Sequence, residues 1–462
     1  MNTLVAKYIE DHISQLLTDL SKLVAVNSVR GDKMDDAPFG EGPKKALEQA
    51  LELGNQYGFT TKNFKNVMGS IDFYPEGEPV LSALAHLDVV PAGDGWKTNP
   101  FNMIITDGKA IGRGTTDDKG PAICILYAMR AIKACKINLS QNFRLLVGTD
   151  EESGSEDLKM YMKENAMSPM VFTPDADFPV INIEKGRVRA SVYGKCKCGG
   201  EKTIAGAKGG LVTNQIPGTA TACVAGFTLE EVQKAAKATG SPDKFDFVQD
   251  GALINITCTG KNAHASNPAS GINTVTLIIS LLSNLETTDD TGKVFKNLAT
   301  LFPHGEYDGA SAGIKMSDEK SGVLTCALTI LDYACGEMEG SFDIRFPLCG
   351  SVEIVKKALT DSFSEKGFSL TKFSGVEPHE VDEDSVFVKT LNKVYEDVAG
   401  LRGGCVAIGG GTYVHDIPGG VAFGPEYKGD NYNIHGANEF AYITALKQNT
   451  KIYAEAIMRL CK

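Results

Sequence analysis

Apolar strand-like runs alternate with helical patterns along the first 185 residues, and this alternation constrains the fold more than any other feature. PVLSALAHLDVV (79–90), NFRLLVGTD (142–150) and PMVFTPD (169–175) have the length and composition of buried strands. The apolar helix pattern GPAICILYAMRAIKAC lies between the first two runs. Such alternation favours a parallel sheet, because each helix returns the chain to begin the next strand. Residues 1–185 are therefore predicted to form an α/β domain with a mainly parallel central sheet.

Two amphipathic helices precede these runs. Residues 4–24 carry leucine and isoleucine at helical spacing and are predicted as one helix. A second helix is predicted through KKALEQALELGNQY, ending near Gly58.

The pattern changes between about residues 186 and 380. Short strand-like runs (RASVYGK, ALINITCTG, VLTCALTILDY, MEGSFDIRF) mix there with two helix patterns, which is typical of an α+β domain. Residues 381–462 return to helix, a glycine-rich turn, the run GGVAFGP and a closing helix. We therefore expect residues 186–380 to be an inserted domain, and residues 381–462 to rejoin residues 1–185.

Composition and charge narrow the classes of partner. The 462 residues are 42% hydrophobic and carry a net charge of −12, which argues against nucleic acid and anionic membranes as partners. No run offers the ~20 apolar residues that span a bilayer. The N-terminus lacks a signal-peptide pattern, and the eleven cysteines lack framework spacing, so a cytoplasmic protein with free thiols is predicted. Cys196 and Cys198 form C-x-C without a second pair, which disfavours a structural zinc site.

Metal-ligand side chains recur where the predicted strands end. His86 and Asp88 end the first strand and point to the same face, so Asp88 can hold the ring of a metal-bound His86. The strand run at 142–150 leads into Asp150-Glu151-Glu152, and the run at 169–175 ends at Asp175. Carboxyl ends of strands are where α/β sheets bind ligands.

Two further segments supply candidates. Asp117 and Asp118 follow the glycine turn GRGTTDD directly before a helix, where a helix N-cap is the structural alternative. His435 lies far downstream in NIHGANE, whereas His12 and His304 stand apart from any cluster and are interpreted as structural.

Mixed histidine and carboxylate ligands suit Zn²⁺, with Mn²⁺ or Co²⁺ as alternatives. The candidate ligands exceed what one tetrahedral zinc uses, so two metals that share a carboxylate are predicted. Glu151 and Glu152 would repel each other without cations. Adjacent residues point in different directions, so one can bind metal while the other contacts the shared water, but spacing alone leaves open which does which.

The ordered motifs HLDVVP, GRGTTDDKGP, DEESGS, TPDADFP, GKNAHASNPASGINT, FDIRFP and AFGP…H…NE span nearly the whole chain. This series resembles the co-catalytic di-zinc peptidases, which include aminoacylases, glutamate carboxypeptidases, acetylornithine deacetylases and carnosinases. Within that family it is most similar to the PepV-type bacterial dipeptidases. The resemblance implies a di-zinc aminopeptidase-like catalytic domain and a lid domain, and hydrolysis of unblocked dipeptides by a metal-activated water.

The resemblance also implies a role for each matching residue. His86 and Asp175 would bind one metal, Glu152 and His435 the other, and Asp117 both, followed by a cis peptide bond to Asp118. Glu151 would be the general base and acid, and Asp88 would orient His86. The substrate-side residues would be His264 on the oxyanion, with Asn214, Arg345, Gly411 and Thr412 holding the dipeptide.

Three details refine the resemblance. Aspartate at position 175 is similar to the aminopeptidase and dipeptidase branch, whereas deacylases and carboxypeptidases usually carry glutamate. The long insert resembles a lid that imitates a second subunit, so a monomer is predicted. PepV-like chains carry Arg or Lys where this chain has His415, which leaves the preferred dipeptide open. A deacylase or carboxypeptidase on the same scaffold is the alternative function, and an inactive metal-binding scaffold is the remote one.

Overall fold

The computed structural model describes residues 1–462, which form two compact units. Unit 1 comprises Met1–Ile183, Glu380–Val406 and Gly411–Lys462, and unit 2 comprises Glu184–His379 and Ala407–Gly410. The sequence predicted boundaries at 185/186 and 380/381, close to these, and it did not anticipate that 407–410 belong to unit 2. No helix has both the length and the apolar character needed to cross a membrane.

The helices and strands fall into three parts of the chain. In the first part they are α1 (Thr3–Asp11), α2 (Ile13–Val24), α3 (Glu41–Gln56), β1 (Thr60–Phe64), β2 (Met68–Asp72), β3 (Pro79–His86), β4 (Ile104–Thr106), β5 (Lys109–Ile111), α4 (Lys119–Ala134), β6 (Asn142–Gly148), α5 (Glu156–Met162), β7 (Met170–Thr173), β8 (Ala176–Asp177) and β9 (Val180–Glu184).

The middle part is richer in strands. Its elements are β10 (Gly186–Lys195), β11 (Thr203–Gly209), β12 (Gln215–Ile216), β13 (Thr219–Ala225), α6 (Leu229–Ala238), β14 (Phe245–Asp250), β15 (Leu253–Thr259), β16 (Ala263–His264), α7 (Thr274–Ser283), α8 (Thr291–Leu301), β17 (Ser317–Asp318), β18 (Gly322–Val323), β19 (Thr325–Ala334), β20 (Glu337–Phe346), α9 (Val352–Glu365), β21 (Ser369–Val376) and β22 (His379–Glu380).

The last part returns to longer helices. Its elements are α10 (Val386–Ala399), β23 (Cys405–Ile408), β24 (Gly420–Phe423), β25 (Pro425–Glu426), β26 (Phe440–Tyr442) and α11 (Ile443–Leu460).

The sheet of unit 1 is mixed, with a parallel centre. Its strands lie in the order β1-β2-β6-β3-β7-β24-β9. The pairs β6-β3, β3-β7 and β7-β24 are parallel, whereas β1-β2, β2-β6 and β24-β9 are antiparallel. The predicted parallel sheet is therefore confirmed at the centre, and antiparallel strands flank it on both sides. Because β3, β6 and β7 are parallel neighbours, they end at the same edge of the sheet.

The core of unit 1 explains the apolar runs of the sequence. Seven of the eight residues of β3 are buried, as expected for a strand covered on both faces. Helix α4 is buried along nearly its whole length, and α11 packs against it. The predicted single helix over residues 4–24 is wrong, because it breaks at His12. There the imidazole Nδ1 bonds the carbonyl of Tyr8 at 2.8 Å and the two rings stack.

Unit 2 is built on an antiparallel eight-stranded sheet in the order β14-β15-β13-β11-β19-β20-β10-β21. Strand β15 alternates exposed and buried residues along its length, which is typical of a sheet with one solvated face. Helices α7 and α8 pack against each other, and α7 contacts β11, β13, β15 and β19. The sequence of this region therefore shows the mixed strand and helix patterns predicted for an α+β domain, because helices cover one face of the sheet and the other face is solvated.

Candidate functional site

The candidate metal ligands of unit 1 converge because their strands are neighbours and parallel. Strands β3, β6 and β7 end at one sheet edge with His86, the segment 149–152 and the segment leading to Asp175. Asp117 lies in the turn before α4, and His435 lies between β25 and β26. Sites in α/β sheets form at such edges.

Asp117 lies between the two histidines, with one carboxylate oxygen toward each. Its Oδ1 is 2.9 Å from Nε2 of His86, and its Oδ2 is 2.8 Å from Nε2 of His435. Asp175 Oδ2 approaches His86 Nε2 at 3.7 Å, and Glu152 Oε1 approaches His435 Nε2 at 3.0 Å. The structure thus brings together all five ligands predicted from the sequence, as two histidine–carboxylate sets that share Asp117.

Two ligand atoms on the His86 side are buried without a hydrogen bond. Although Nε2 of His86 and Oδ1 of Asp117 face each other, neither has a hydrogen-bond partner. Buried polar atoms are normally paired, so these two indicate a missing partner. A divalent cation between them would satisfy both, and neutral imidazole with carboxylate is a donor set suited to zinc. The chemistry of the residues therefore fits a metal.

Glu151 is a further candidate on the same side. Ligand atoms of His86, Glu151 and Asp175 lie within 4.8 Å of one another, as do those of His86, Asp117 and Glu152. Glu152 contacts His435, whereas no hydrogen bond links the Glu151 carboxylate to either imidazole. The two adjacent glutamates therefore occupy different places in the site, as adjacent residues at a strand end were expected to do.

Electrostatics in the metal-free site favours protonated histidines. Burial alone would lower the pKa of His435, but the carboxylates of Asp117 and Glu152 raise it to about 11. Burial would likewise lower the pKa of His86, yet the Asp117 and Asp175 carboxylates hold it well above the usual range. Burial raises the pKa of Glu152 to about 7, helped by the Asp117 charge. Protons thus occupy the place that cations would take.

Asp88 contacts both His86 and the two glutamates. Its contact with His86 is made mainly by the backbone carbonyl and less by the carboxylate that the sequence predicted. The Nδ1 atom of His86 bonds the backbone carbonyl of Asp88 at 3.0 Å, while its carboxylate Oδ1 lies at 3.5 Å. The carboxylate instead accepts the backbone N–H groups of Glu151 and Glu152, both at 3.1 Å. The carboxylate therefore fixes the two glutamates, while the main chain of Asp88 orients the imidazole.

A second buried aspartate continues this arrangement and was missed at the sequence level. Asp157 Oδ2 accepts the N–H groups of Thr149 at 2.6 Å and Asp150 at 3.0 Å. It also accepts the hydroxyl of Tyr413 at 2.5 Å, and the ring of Tyr413 meets that of His86 edge-on. Four consecutive amides, 149–152, are thus bound by two buried carboxylates. In the sequence, Asp157 resembles an ordinary acid in the first turn of a helix, so no local signal marks it.

Gly411 and Thr412 lie in unit 1 immediately before this tyrosine. The Thr412 hydroxyl oxygen accepts the N–H of Val414 at 3.4 Å and opens a short 3-10 turn over Tyr413–Asp416. His415 is half-buried in the same turn. Gly411 is therefore two residues from Tyr413, whose ring contacts that of His86.

Asn214 and His264 are neighbours in unit 2. Strands β12 and β16 pair Gln215 with His264, and the carbonyl of Asn214 accepts the N–H of Ala265 at 2.9 Å. The backbone N–H of Ser266 donates to Nδ1 of His264 at 3.2 Å, and the Ser266 hydroxyl lies at 2.6 Å. Since Nδ1 accepts an amide proton, the neutral ring carries its own proton on Nε2.

Arg345 is buried in unit 2 and firmly held. Its Nε and Nη2 donate to the two carboxylate oxygens of Asp343 at 2.5 and 3.1 Å, and its Nη1 donates to the carbonyl of Gly409 at 2.6 Å. A Cβ at Gly409 would lie 2.9 Å from Cβ of Ser266, next to His264. The three unit 2 residues predicted from the sequence therefore share one neighbourhood, and Arg345 retains two of its five N–H donors.

Paired histidine–carboxylate sets at the carboxyl ends of parallel strands are typical of metal-dependent hydrolases. The chain belongs to the peptidase family M20/M25/M40, whose sequence model matches residues 83–459. It is accordingly a hydrolytic metallopeptidase, in agreement with the resemblance found from the motifs.

Two relatives are similar to this chain over nearly their whole length. YtjP of Bacillus subtilis (strain 168), provisionally named a dipeptidase, is 36% identical over 456 residues, which cover 97% of each chain. The Beta-Ala-Xaa dipeptidase of Lactobacillus delbrueckii subsp. lactis is 32% identical over 455 residues, covering 97% of this chain and 96% of its own. The human carnosine dipeptidase 1 structure shares the fold, with a TM-score of 0.59, 16% identity and coverage of 99% and 98%.

Proposed function

We propose that this chain is a dipeptidase that hydrolyses the peptide bond of unblocked dipeptides with two divalent cations. One observation carries the proposal: the two oxygens of Asp117 face Nε2 of His86 and Nε2 of His435, at 2.9 and 2.8 Å. A carboxylate with one oxygen toward each imidazole is placed to bridge two metals. The names of the two relatives and the presence of aspartate at position 175 support a dipeptide substrate.

The ligand assignment follows from which atoms face each histidine. His86, Asp117 and Asp175 would hold one cation, and Asp117, Glu152 and His435 the other. When bound, the cation pair lowers the pKa of a shared water and polarises the scissile carbonyl. Zn²⁺ is the metal proposed from the donor set, and Mn²⁺ or Co²⁺ would suit the same oxygen and nitrogen ligands.

Glu151 is proposed as the general base and acid. Its amide is fixed by Asp88, and its carboxylate is within reach of the His86 and Asp175 ligand atoms without bonding either imidazole. Glu151 would accept a proton from the attacking water and deliver it to the leaving amine. Burial and the Asp175 charge hold the pKa of Glu151 well above its usual range in the metal-free protein, so this carboxyl readily holds a proton.

His264 is proposed to stabilise the oxyanion that develops on the substrate carbonyl. Its Nδ1 accepts the Ser266 amide, so Nε2 is the ring nitrogen that would donate a proton to the oxyanion. Asn214, beside it, would bind the same region of the substrate.

The remaining substrate residues have donors of the required kind. Arg345 would use its two remaining N–H donors for the terminal carboxylate of the dipeptide, and its pairing with Asp343 fixes their direction. Gly411 and Thr412 would offer backbone amides. We also propose that the protein acts as a cytoplasmic monomer, which size-exclusion chromatography with light scattering would test.

A substrate panel tests the proposed function directly. The purified protein, loaded with Zn²⁺ or Mn²⁺, would be assayed with dipeptides that vary at each position and with N-acetyl and N-formyl amino acids. Hydrolysis of free dipeptides with little turnover of the blocked compounds is expected. Preferential turnover of N-acyl amino acids would favour the deacylase alternative, and inactivity with both metals bound would favour the inactive scaffold.

A further inference from the structure

Glu439 is a fully buried carboxylate that binds the turn carrying Asp117. One of its oxygens, Oε1, accepts the backbone N–H groups of Gly114 at 3.0 Å, Thr116 at 3.1 Å and Asp117 at 3.2 Å. The other, Oε2, accepts Nη1 of Arg113 at 2.6 Å. A single side chain therefore binds three backbone amides and the guanidinium of Arg113 in this turn.

Arg113 extends this contact to the loop after β3. It is as buried as Glu439, and its Nη2 donates to the carbonyls of Pro91 and Ala92, both at 3.3 Å. Its guanidinium also lies over the ring of Trp96. The pair Glu439–Arg113 thus joins the loop that follows His86 to the turn before α4.

The position of Glu439 in the chain links a third segment. Glu439 lies four residues after His435, and its own carbonyl accepts the N–H of Gly112 at 2.9 Å. The carbonyl of the next residue, Phe440, accepts the hydroxyl of Thr116 at 2.8 Å. The turn of Asp117 and the loop of His435 are therefore bound to each other by main-chain and side-chain contacts, although over 300 residues separate them in sequence.

We infer that Glu439 and Arg113 are positioning residues that set the separation of the two metal sites. The inference rests on the proposed function, in which Asp117 and His435 are metal ligands. Asp117 must present one oxygen to each histidine, and its amide is one of the three held by Glu439. Loss of the Glu439 carboxylate would leave the buried N–H groups of this turn without an acceptor, so the turn would shift until they found other partners. Neither residue contacts a ligand atom, so their action passes through the main chain.

Zinc titration of the metal-free protein tests this inference without recourse to catalysis. Glu439→Gln keeps an oxygen for the amides but places an NH₂ group against the guanidinium of Arg113. Competition with a chromophoric chelator would measure the affinity for each zinc equivalent. We expect a loss of about 10–100-fold in zinc affinity, as is common when the partner of a ligand is removed. The value of kcat should fall similarly, with little change in KM.

Asp72→Asn is the matched control. Asp72 on β2 binds Arg144 on β6 through two hydrogen bonds of 2.6 and 3.0 Å, so it too is a buried carboxylate paired with arginine in unit 1. That pair lies at the beginning of β6, whereas the glutamates of the site follow the end of the strand. Asp72→Asn should lower Tm and leave zinc affinity unchanged, which separates positioning from stability.

Three results would overturn the inference. Wild-type zinc affinity in folded Glu439→Gln would do so, as would an equal loss in Asp72→Asn. If Glu439→Gln does not fold, the same zinc titration of Arg113→Lys replaces it, because lysine keeps the charge and loses the contacts with Pro91 and Ala92. Failure of both to fold would show that the pair acts on folding alone. A wild type that binds two Zn²⁺ but cleaves no dipeptide would instead refute the proposed function, and the titration would still be informative.

Discussion

The candidate residues of the two units differ in how their charges are compensated. In unit 1, His86, Asp88 and Asp117 are buried, whereas Glu151, Glu152 and Asp175 are partly buried and His435 is exposed. The backbone N–H groups of His86, Asp117 and Glu151 each donate to the carboxylate of another residue. In unit 2, Asn214 and His264 are exposed at the end of a short two-stranded ladder, and the buried Arg345 is paired with Asp343. Neighbouring carboxylates are unfavourable without cations, whereas the buried charge of Arg345 is already offset by Asp343. The comparison predicts that unit 1 depends on metal and that unit 2 does not.

Removal of the metals should have the largest effect. Treatment with a chelator should abolish hydrolysis and lower Tm, because the carboxylates of unit 1 would lose the cations that offset their repulsion. Calorimetry with and without Zn²⁺ would measure the shift. If the protein bound Zn²⁺ but its Tm were the same with and without the metal, relief of the repulsion between these carboxylates would not contribute to stability.

Glu151→Gln should come next, and it separates the two adjacent glutamates. The variant should bind two metals yet lose about 10²–10⁴-fold in kcat, because glutamine cannot accept the proton. Glu152→Gln, the matched variant one residue away, should lose metal as well. Equal metal contents in the two variants would contradict the assignment of Glu152 as a ligand and Glu151 as the base.

His264→Ala tests the contribution of unit 2. We expect a loss of about 10²–10³-fold in kcat, as for other donors to an oxyanion, with unchanged zinc affinity. Ser266→Ala, which removes the hydroxyl beside Nδ1 and keeps the amide, is a milder control. Normal turnover in His264→Ala would show that His264 does not stabilise the oxyanion.

Asp88→Asn tests how unit 1 holds its ligands. An asparagine can still accept one of the amides of Glu151 and Glu152 but not both, and its carbonyl contact with His86 remains. A loss of about 10–100-fold in activity is expected, smaller than that of Glu151→Gln. A loss confined to zinc affinity, with kcat intact at saturating metal, would limit Asp88 to the metal site.

The pH dependence of zinc binding tests the protonation of His435 without any substitution. Because His435 has a raised pKa of about 11 in the metal-free protein, zinc must displace a proton from it at neutral pH. Affinity should therefore rise with pH, about tenfold per unit for each proton displaced. Titration at pH 6.5, 7.5 and 8.5 would measure the slope, and a flat profile would contradict protonation of the imidazole.

Much of unit 1 could be predicted from local patterns. The strands at β3, β6 and β7 and the helix α4 follow from apolar runs, and their carboxyl-end positions bring His86, Glu152 and Asp175 to one edge. The break of the first helix at His12 could not be foreseen, because it depends on a ring stacked on Tyr8 and a local hydrogen bond. Likewise, Asp157 resembles any acid in a first helical turn until its burial is known.

The sequence by itself determined the class of protein and its candidate metal ligands, because histidine and carboxylates at consecutive strand ends are typical of a metal site and the ordered motifs span the chain. Only the tertiary structure decided how those ligands are held. Asp88 acts through its main chain as well as its carboxylate, and Glu439 binds a turn more than 300 residues before it. Such contacts join segments distant in sequence, so no spacing or periodicity encodes them, and only burial and hydrogen-bond geometry reveal them.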